Sequence, residues 1–282
     1  MDGATLYPRM LVLAAHKAQG RLGMSASRPL MESRRSNLEK APWKDLAGIE
    51  HSVEASFIRR IFLGESILPY RAERPVTGVI PMDGNQLLDS TAAADRGWSG
   101  LAGWMRAVEA AWNANSEAGV RFVDQIDYYG KLTSQFPIAP LRVVYAKAGN
   151  NPAACLLRDI EALVDHKLYW ATPESEDEGY YLVAVINSEA ARRRVERLQS
   201  RGLFGARDFD KVMFTLPIPR FDVRQSTHAG LAKAGRDAEA LAAQVATTEN
   251  EPFTRARKRV RDALKQAGLA DQIDALVDQL LG

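Results

Sequence analysis

Arginine is the residue type that best equips this chain to act on another molecule. Five arginines fall within one stretch of ten residues: Arg192, Arg193, Arg194, Arg197 and Arg201. Guanidinium groups donate paired hydrogen bonds to phosphate oxygens, so arginines on one helix could follow the backbone of a nucleic acid. The alternative is a solvated helix face whose arginines pair with nearby acids such as Glu196. The residue types alone leave both interpretations open.

A loop rich in glycine and phenylalanine follows this arginine cluster. It has the sequence GLFGARDFDK over residues 202–211 and contains two cations, Arg207 and Lys211. Glycines give such a loop conformational freedom, and its side chains could contact phosphates or base edges in the major groove of DNA. We therefore add Arg207 and Lys211 to the candidate DNA-binding residues.

A second basic segment lies near the C-terminus, over residues 255–265. Its cations surround a predicted helix and leave few apolar positions for packing. Arg257 and Lys258 are candidates for contact with phosphate, and solubility explains the same pattern equally well.

A third group could hold a metal ion. Asp159 is followed by an acid-x-Lys sequence at Asp165, His166 and Lys167. Nucleases of the PD-(D/E)xK type use such residues to bind Mg²⁺ and activate water. The alternative, in which they cap and solvate the edge of a strand, is favoured because the usual Pro-Asp pair is missing. Since no histidine or cysteine has ligand spacing either, we expect no metal and no cofactor.

Two apolar segments flank the arginine cluster and must position it. Residues 181–186 are predicted as a buried strand or as the start of a tightly packed helix. The Asn-Ser pair at 187–188 is a good N-cap for a helix that carries the arginines, and Gly202 is predicted to end that helix. The second segment, 212–216, meets the Pro-Ile-Pro sequence at 217–219, which stops any helix or central strand.

The order of these segments resembles the C-terminal specificity (target-recognition) region of Taq-like and type IIG adenine-N6 DNA methyltransferases from restriction–modification systems. The matching residues are Tyr181, Leu182, Ala184, Asn187, Ser188 and Leu216 to Pro219. The ordered set is specific, although no single piece of it is. The resemblance implies a mixed-sheet domain that recognises double-stranded DNA, with a separate methyltransferase catalytic subunit as a candidate partner.

The residues that transfer a methyl group in that family are missing. Such enzymes need a glycine-rich loop for S-adenosylmethionine and an Asn/Asp-Pro-Pro-aromatic sequence that holds the flipped adenine. This chain contains no Pro-Pro sequence, and residues 151–154, Asn-Pro-Ala-Ala, lack the aromatic ring. We expect a sequence-specific DNA-binding module without catalytic activity of its own. A metal-dependent nuclease, a partner-dependent methyltransferase subunit and an assembly role for the C-terminal helices remain as alternatives.

Composition sets the broad class. The 282 residues are 46% hydrophobic and 26% charged, as in an ordinary globular protein, and a formal net charge of +2 is too small to indicate nucleic acid by itself. The only cysteine, Cys155, excludes an internal disulfide, suits a reducing cytoplasm and is predicted to be a small buried hydrophobe. No apolar run is long enough for a signal peptide or a membrane span.

Hydrophobic spacing predicts an α+β fold. Helices are predicted around residues 57–62 and over 100–115, 228–246, 254–266 and 270–281, and strands over 67–71, 76–81, 141–147 and 165–170. We assign residues 1–224 to a mixed-sheet target-recognition domain and residues 225–282 to a helical C-terminal segment. Residues 4–15 are rich in strand-forming types, which suggests that an upstream domain of a longer ancestor is missing.

Overall fold

The structure, a computed structural model, describes residues 1–18, 25–35, 39–116, 119–198, 200–202, 205–248 and 251–282, with the backbone alone described over 200–202 and 205–208. Its strands in the first half of the chain are β1 (Ala14–His16), β2 (Leu30–Ser33), β3 (Glu50–Ser52), β4 (Ile58–Phe62), β5 (Ile67–Leu68), β6 (Arg71–Ala72), β7 (Val76–Val79), β8 (Met82–Asp83) and β9 (Gln86–Leu87). The helices there are α1 (Arg9–Val12), α2 (Ser90–Asp95), α3 (Ser99–Asn115) and α4 (Phe122–Ile126).

The second half of the chain contains the longer helices. Its strands are β10 (Arg142–Ala146), β11 (Ala154–Leu157), β12 (Ala162–Val164), β13 (Leu168–Ala171), β14 (Ser200–Gly202) and β15 (Gly205–Asp208). Its helices are α5 (Glu176–Asn187), α6 (Glu189–Val195), α7 (Ser226–Gln244), α8 (Phe253–Gln266) and α9 (Leu269–Leu281). The predicted α+β class is confirmed, and the last three helices begin within two residues of their predicted starts.

A first core fills the N-terminal part of the molecule and is closed by α3. The apolar stripe predicted on this helix is buried as expected, with Trp104 at its centre. Trp112 stacks on Trp43 with ring centroids 5.5 Å apart, which attaches the loop before β3 to the helix. Sheet β1-β2-β3 is antiparallel, and the sheet β12-β4-β7 is mixed, because β12 pairs parallel to β4 and β7 pairs antiparallel to it.

The helix predicted around residues 57–62 is wrong, because residues 58–62 form strand β4. Within β4 the adjacent residues Ile61 and Phe62 point to opposite faces of the sheet. Ile61 points into the first core and Phe62 into a second cluster of buried residues, here called the middle core. The strand has no polar alternation, because Arg59 and Arg60 are adjacent and so are the buried Ile61 and Phe62, and its apolar residues match helical spacing by chance.

The middle core lies between the sheet β12-β4-β7 and the antiparallel sheet β11-β10-β13. Alternate residues of β10 face different layers: Val144 points into the middle core, and Val143 and Tyr145 point into a third core formed with the helices. The strands predicted over 141–147 and 165–170 are confirmed as β10 and β13, although the residues just before Leu168 form a turn.

The third core contains residues of helices α5 to α9 and of the sheet β11-β10-β13. Residues 181–186, for which the sequence left strand and helix open, lie within α5. Ser175 caps α5 by accepting a hydrogen bond from the Glu178 N–H at 3.1 Å. The first turn of α5 contains three acidic residues, whose negative charges interact favourably with the positive end of the helix dipole. Helix α7 packs closely on α5, so the helices after residue 225 share their core with the preceding elements, and the boundary at 224 stays a prediction.

No helix in the described part of the chain is long and apolar enough to cross a membrane.

Candidate nucleic-acid interface

Helix α6 carries three of the seven predicted DNA-binding arginines, Arg192, Arg193 and Arg194. It begins where the sequence indicated, because the Ser188 hydroxyl accepts a hydrogen bond from the Ala191 N–H at 3.0 Å. The prediction that Gly202 ends this helix is wrong: α6 ends at Val195, a 3₁₀ turn follows, and Gly202 pairs with Gly205 in the β14–β15 hairpin. The helix is therefore shorter than predicted, and Arg201 belongs to the hairpin.

Three arginines of α6 are held by carboxylates. Arg192 donates to Glu189 at 2.7 Å, which raises the pKa of its guanidinium, and it also lies 3.3 Å from Glu196. Arg193 and Arg194 share Asp278 of α9, with nitrogen–oxygen distances of 3.4 and 2.7 Å. These contacts match the alternative of a solvated, ion-paired face. For these arginines, binding of DNA would mean exchanging a carboxylate for a phosphate.

The other candidates near α6 are less constrained. Arg197 is exposed and has no hydrogen-bond or ion-pair partner within the residues that the structure describes. Lys211 is exposed on the 3₁₀ turn Asp210–Thr215. Arg201 and Arg207 lie in strands β14 and β15, but their side chains are outside the described part of the structure.

The C-terminal end of the hairpin is fastened to the end of strand β10. The main-chain N–H groups of Phe209 and Asp210 both donate to the Lys147 carbonyl, at 2.8 and 3.2 Å. Two tyrosine hydroxyls complete the attachment, because Tyr145 donates to the Asp210 carbonyl at 2.6 Å and Tyr169 to the Asp210 carboxylate at 2.7 Å. Asp210 has a φ of +30°, an uncommon value for a residue other than glycine. The position of Lys211, the next residue, is therefore set by contacts with strand β10, its C-terminal end and strand β13.

Helix α8 holds the two remaining candidates, and they have different environments. Arg257 is only 4% exposed, and it donates to the carbonyls of Gly64, Ile67 and Ala148 at 2.7, 2.8 and 3.2 Å. Arg257 thus links α8 to other segments of the chain through buried hydrogen bonds. The sequence had suggested that Arg257 faces solvent, and this prediction is wrong. Lys258 is exposed and lies 2.7 Å from Asp262 on the same helix.

A further cation on α8, Arg261, belongs to the predicted basic segment 255–265, from which only Arg257 and Lys258 were chosen as candidate residues. Its guanidinium donates to the Pro152 carbonyl at 2.6 Å, and burial lowers the pKa of Arg261 to about 10. Its spacing of four residues from Arg257 places both on one face of the helix, and this spacing is the signal that could have identified it.

The residues of the nuclease hypothesis serve as structural contacts. Asp165 is fully buried and accepts hydrogen bonds from the Lys167 N–H at 2.9 Å and from the His166 ring at 3.0 Å. Asp159 forms a bidentate pair with Arg60 at 2.6 and 2.8 Å, which lowers the pKa of this carboxyl group. No three His, Cys, Asp or Glu side chains within the described ranges are grouped so that they could hold a metal ion.

Comparison with solved structures finds a likeness to part of MmeI, a type IIL restriction–modification enzyme solved in complex with DNA. The TM-score is 0.54 at 12% sequence identity, and the match covers 80% of this chain and 28% of the MmeI chain. This chain thus matches less than a third of that enzyme. No family model and no curated protein matches the sequence. At this identity the likeness concerns the fold alone, which is similar to that of part of a restriction–modification enzyme.

Proposed function

We propose that this chain is a sequence-specific DNA-binding module, the target-recognition part of a restriction–modification system related to adenine-N6 DNA methyltransferases. The observation that carries the proposal is the similarity of fold, over 80% of the chain, to part of an enzyme solved in complex with DNA. The sequence lacks the glycine-rich loop and the Pro-Pro sequence that methyl transfer requires. In this proposal the reaction is performed by a separate methyltransferase subunit, and the present chain locates the site.

Helix α6 and the hairpin that follows it are the proposed contact surface. Arg197 and Lys211 are exposed cations on its two flanks, and the hairpin between them contributes Arg201 and Arg207. The ion pairs of α6 are exposed or half-buried, and such pairs contribute only about 0–1 kcal/mol each. Exchange of these carboxylates for DNA phosphates therefore costs little free energy. Binding also releases counterions from the duplex, which favours the complex.

The test is binding of the purified chain to labelled duplex DNA, followed by fluorescence anisotropy at two salt concentrations. If the chain makes four phosphate contacts, a fourfold rise in salt concentration should weaken DNA binding on the order of 100-fold. Arg197→Ala and Lys211→Ala should each lower the slope of log affinity against log salt by about 1. Arg121→Ala is the matched control, because Arg121 is an exposed cation paired with Asp124 beside the first core.

Selection from a random duplex pool would then test sequence specificity. Enrichment of one sequence supports a target-recognition role, whereas binding without enrichment would support only general affinity for nucleic acid. Failure to bind any duplex at low salt would overturn the proposal.

A further inference from the structure

A cavity of about 500 Å³ lies between α8, from Phe253 to Asp262, and residues 148–151 of the loop that connects β10 to β11. Its lining contains three cations, Arg257, Lys258 and Arg261, and one carboxylate, Asp262. Asp262 is engaged with Lys258 at 2.7 Å. The cavity therefore has an excess of positive charge on a chain whose total charge is only +2.

Among the residues that the structure describes, neither guanidinium group in this cavity has a carboxylate within ion-pair distance; Glu65 attracts Arg257, and Glu189 and Asp262 attract Arg261, only from farther away. Throughout the described part of the chain, Arg257 and Arg261 have no ion pair with a carboxylate, and their hydrogen bonds go to main-chain carbonyls. Burial lowers the pKa of each to about 10, and the charge of Arg261 acts on Arg257 in the same direction. Buried charges are normally paired, so two neighbouring unpaired cations indicate a site that an anion would stabilise.

The direction of α8 adds to this excess. The positive end of the helix dipole lies at Phe253, which also lines the cavity, and the first turn contains Arg255 but no acid. Cations at a helix N-terminus are unfavourable, and an anion there offsets both the dipole and the side-chain charges. The loop opposite comes close to the guanidinium of Arg257, because a Cβ atom at Gly149 would lie 3.0 Å from Arg257 Nη1. Gly149 also has a φ of +140°, which favours glycine.

We propose that this cavity binds a single phosphate group, through Lys258 and Arg261 with Arg257 at its base. The inference rests on the proposed function in one respect, since it takes the phosphate to be part of the backbone of bound duplex DNA. Helix α8 thus provides a second anchor for the duplex, in addition to the surface formed by α6 and the hairpin. A free phosphate has the same chemistry and is distinguished from DNA by experiment.

The experiment compares Arg261→Gln and Lys258→Ala with Arg255→Ala, which removes an exposed cation of the same helix that does not line the cavity. Arg257 is left unchanged because it ties three segments together. Duplex DNA affinity is measured against salt, and the thermal shift produced by inorganic phosphate is measured at constant ionic strength. Lys258 is 75% exposed, so its variant is expected to fold even if Arg261→Gln does not.

We expect both cavity variants to weaken DNA binding about 10-fold, with a salt slope lower by about 1, and the Arg255 variant to have a smaller effect. Equal effects of all three variants would overturn the inference and leave the proposed function intact. If the wild-type chain binds no DNA but phosphate stabilises it, and stabilises the cavity variants less, the proposed function fails and the site takes free phosphate. Absence of both DNA binding and phosphate stabilisation overturns both proposals.

Discussion

The close packing of α7 on α5 can be tested with two glycines of the same helix. A Cβ atom added at Gly235 would lie 2.5 Å from the carbonyl oxygen of Tyr180 in α5. At Gly230 the nearest atom would be a side-chain carbon of Leu276 at 3.5 Å, an ordinary contact. Both positions are helical, so Gly→Ala gains about 1 kcal/mol of helix propensity at either one.

The two substitutions should therefore have opposite effects on the free energy of unfolding. At Gly235, relief of the clash with main-chain atoms requires α5 and α7 to separate, and overpacking of this kind costs about 1–3 kcal/mol. Gly235→Ala should destabilise the protein by up to about 2 kcal/mol, and Gly230→Ala should stabilise it by about 1 kcal/mol. Because both variants gain the same helix propensity, the difference between their free energies of unfolding measures the cost of the clash alone, about 1–3 kcal/mol.

Urea denaturation followed by two signals provides the assay. Four of the five tryptophans, all except Trp170, pack in or against the first core, whereas far-UV circular dichroism reports mainly on the longer C-terminal helices. A Gly235→Ala variant as stable as Gly230→Ala would refute the close approach of the two helices. Separation of the fluorescence and dichroism transitions would show that the layers unfold as separate units, and a single transition would show that they unfold together.

Two further predictions concern α9 and β11. Asp278→Asn should remove the ion pairs of Arg193 and Arg194, leaving Arg194 bound only to main-chain carbonyls. The affinity for duplex DNA should rise by about 2- to 5-fold, since each such pair is worth up to about 1 kcal/mol. Asp237→Asn, which breaks an exposed pair on α7, is the control in the same anisotropy assay, and equal changes in both variants would contradict the interface. Cys155 is fully buried and burial raises the pKa of its thiol to about 12, so it should react with a thiol reagent at pH 8 only after unfolding, and rapid reaction of the native protein would contradict this.

Features that depend on local patterns could be predicted from the sequence. The apolar stripe of α3, the three C-terminal helices and the N-cap at Ser188 each depend on residues within a few positions of one another. The conformation of residues 181–186 was also encoded locally. The acidic residues before them form the first turn of α5, a helix-start signal that could have decided between strand and helix.

What only the tertiary structure decided is which groups meet across long distances in the chain. Ile61 and Phe62 belong to a strand because β12 and β7 pair with its two edges, while the first core and the middle core cover its two faces. Arg194 is paired because α9 places Asp278 beside it, 84 residues further along the chain. The sequence by itself determined that cations are concentrated on α6 and α8, but whether each cation meets a carboxylate, a carbonyl or solvent depends on how the helices pack. The physical reason is that hydrophobic periodicity records which face of an element is buried and contains no information about the partner that covers it.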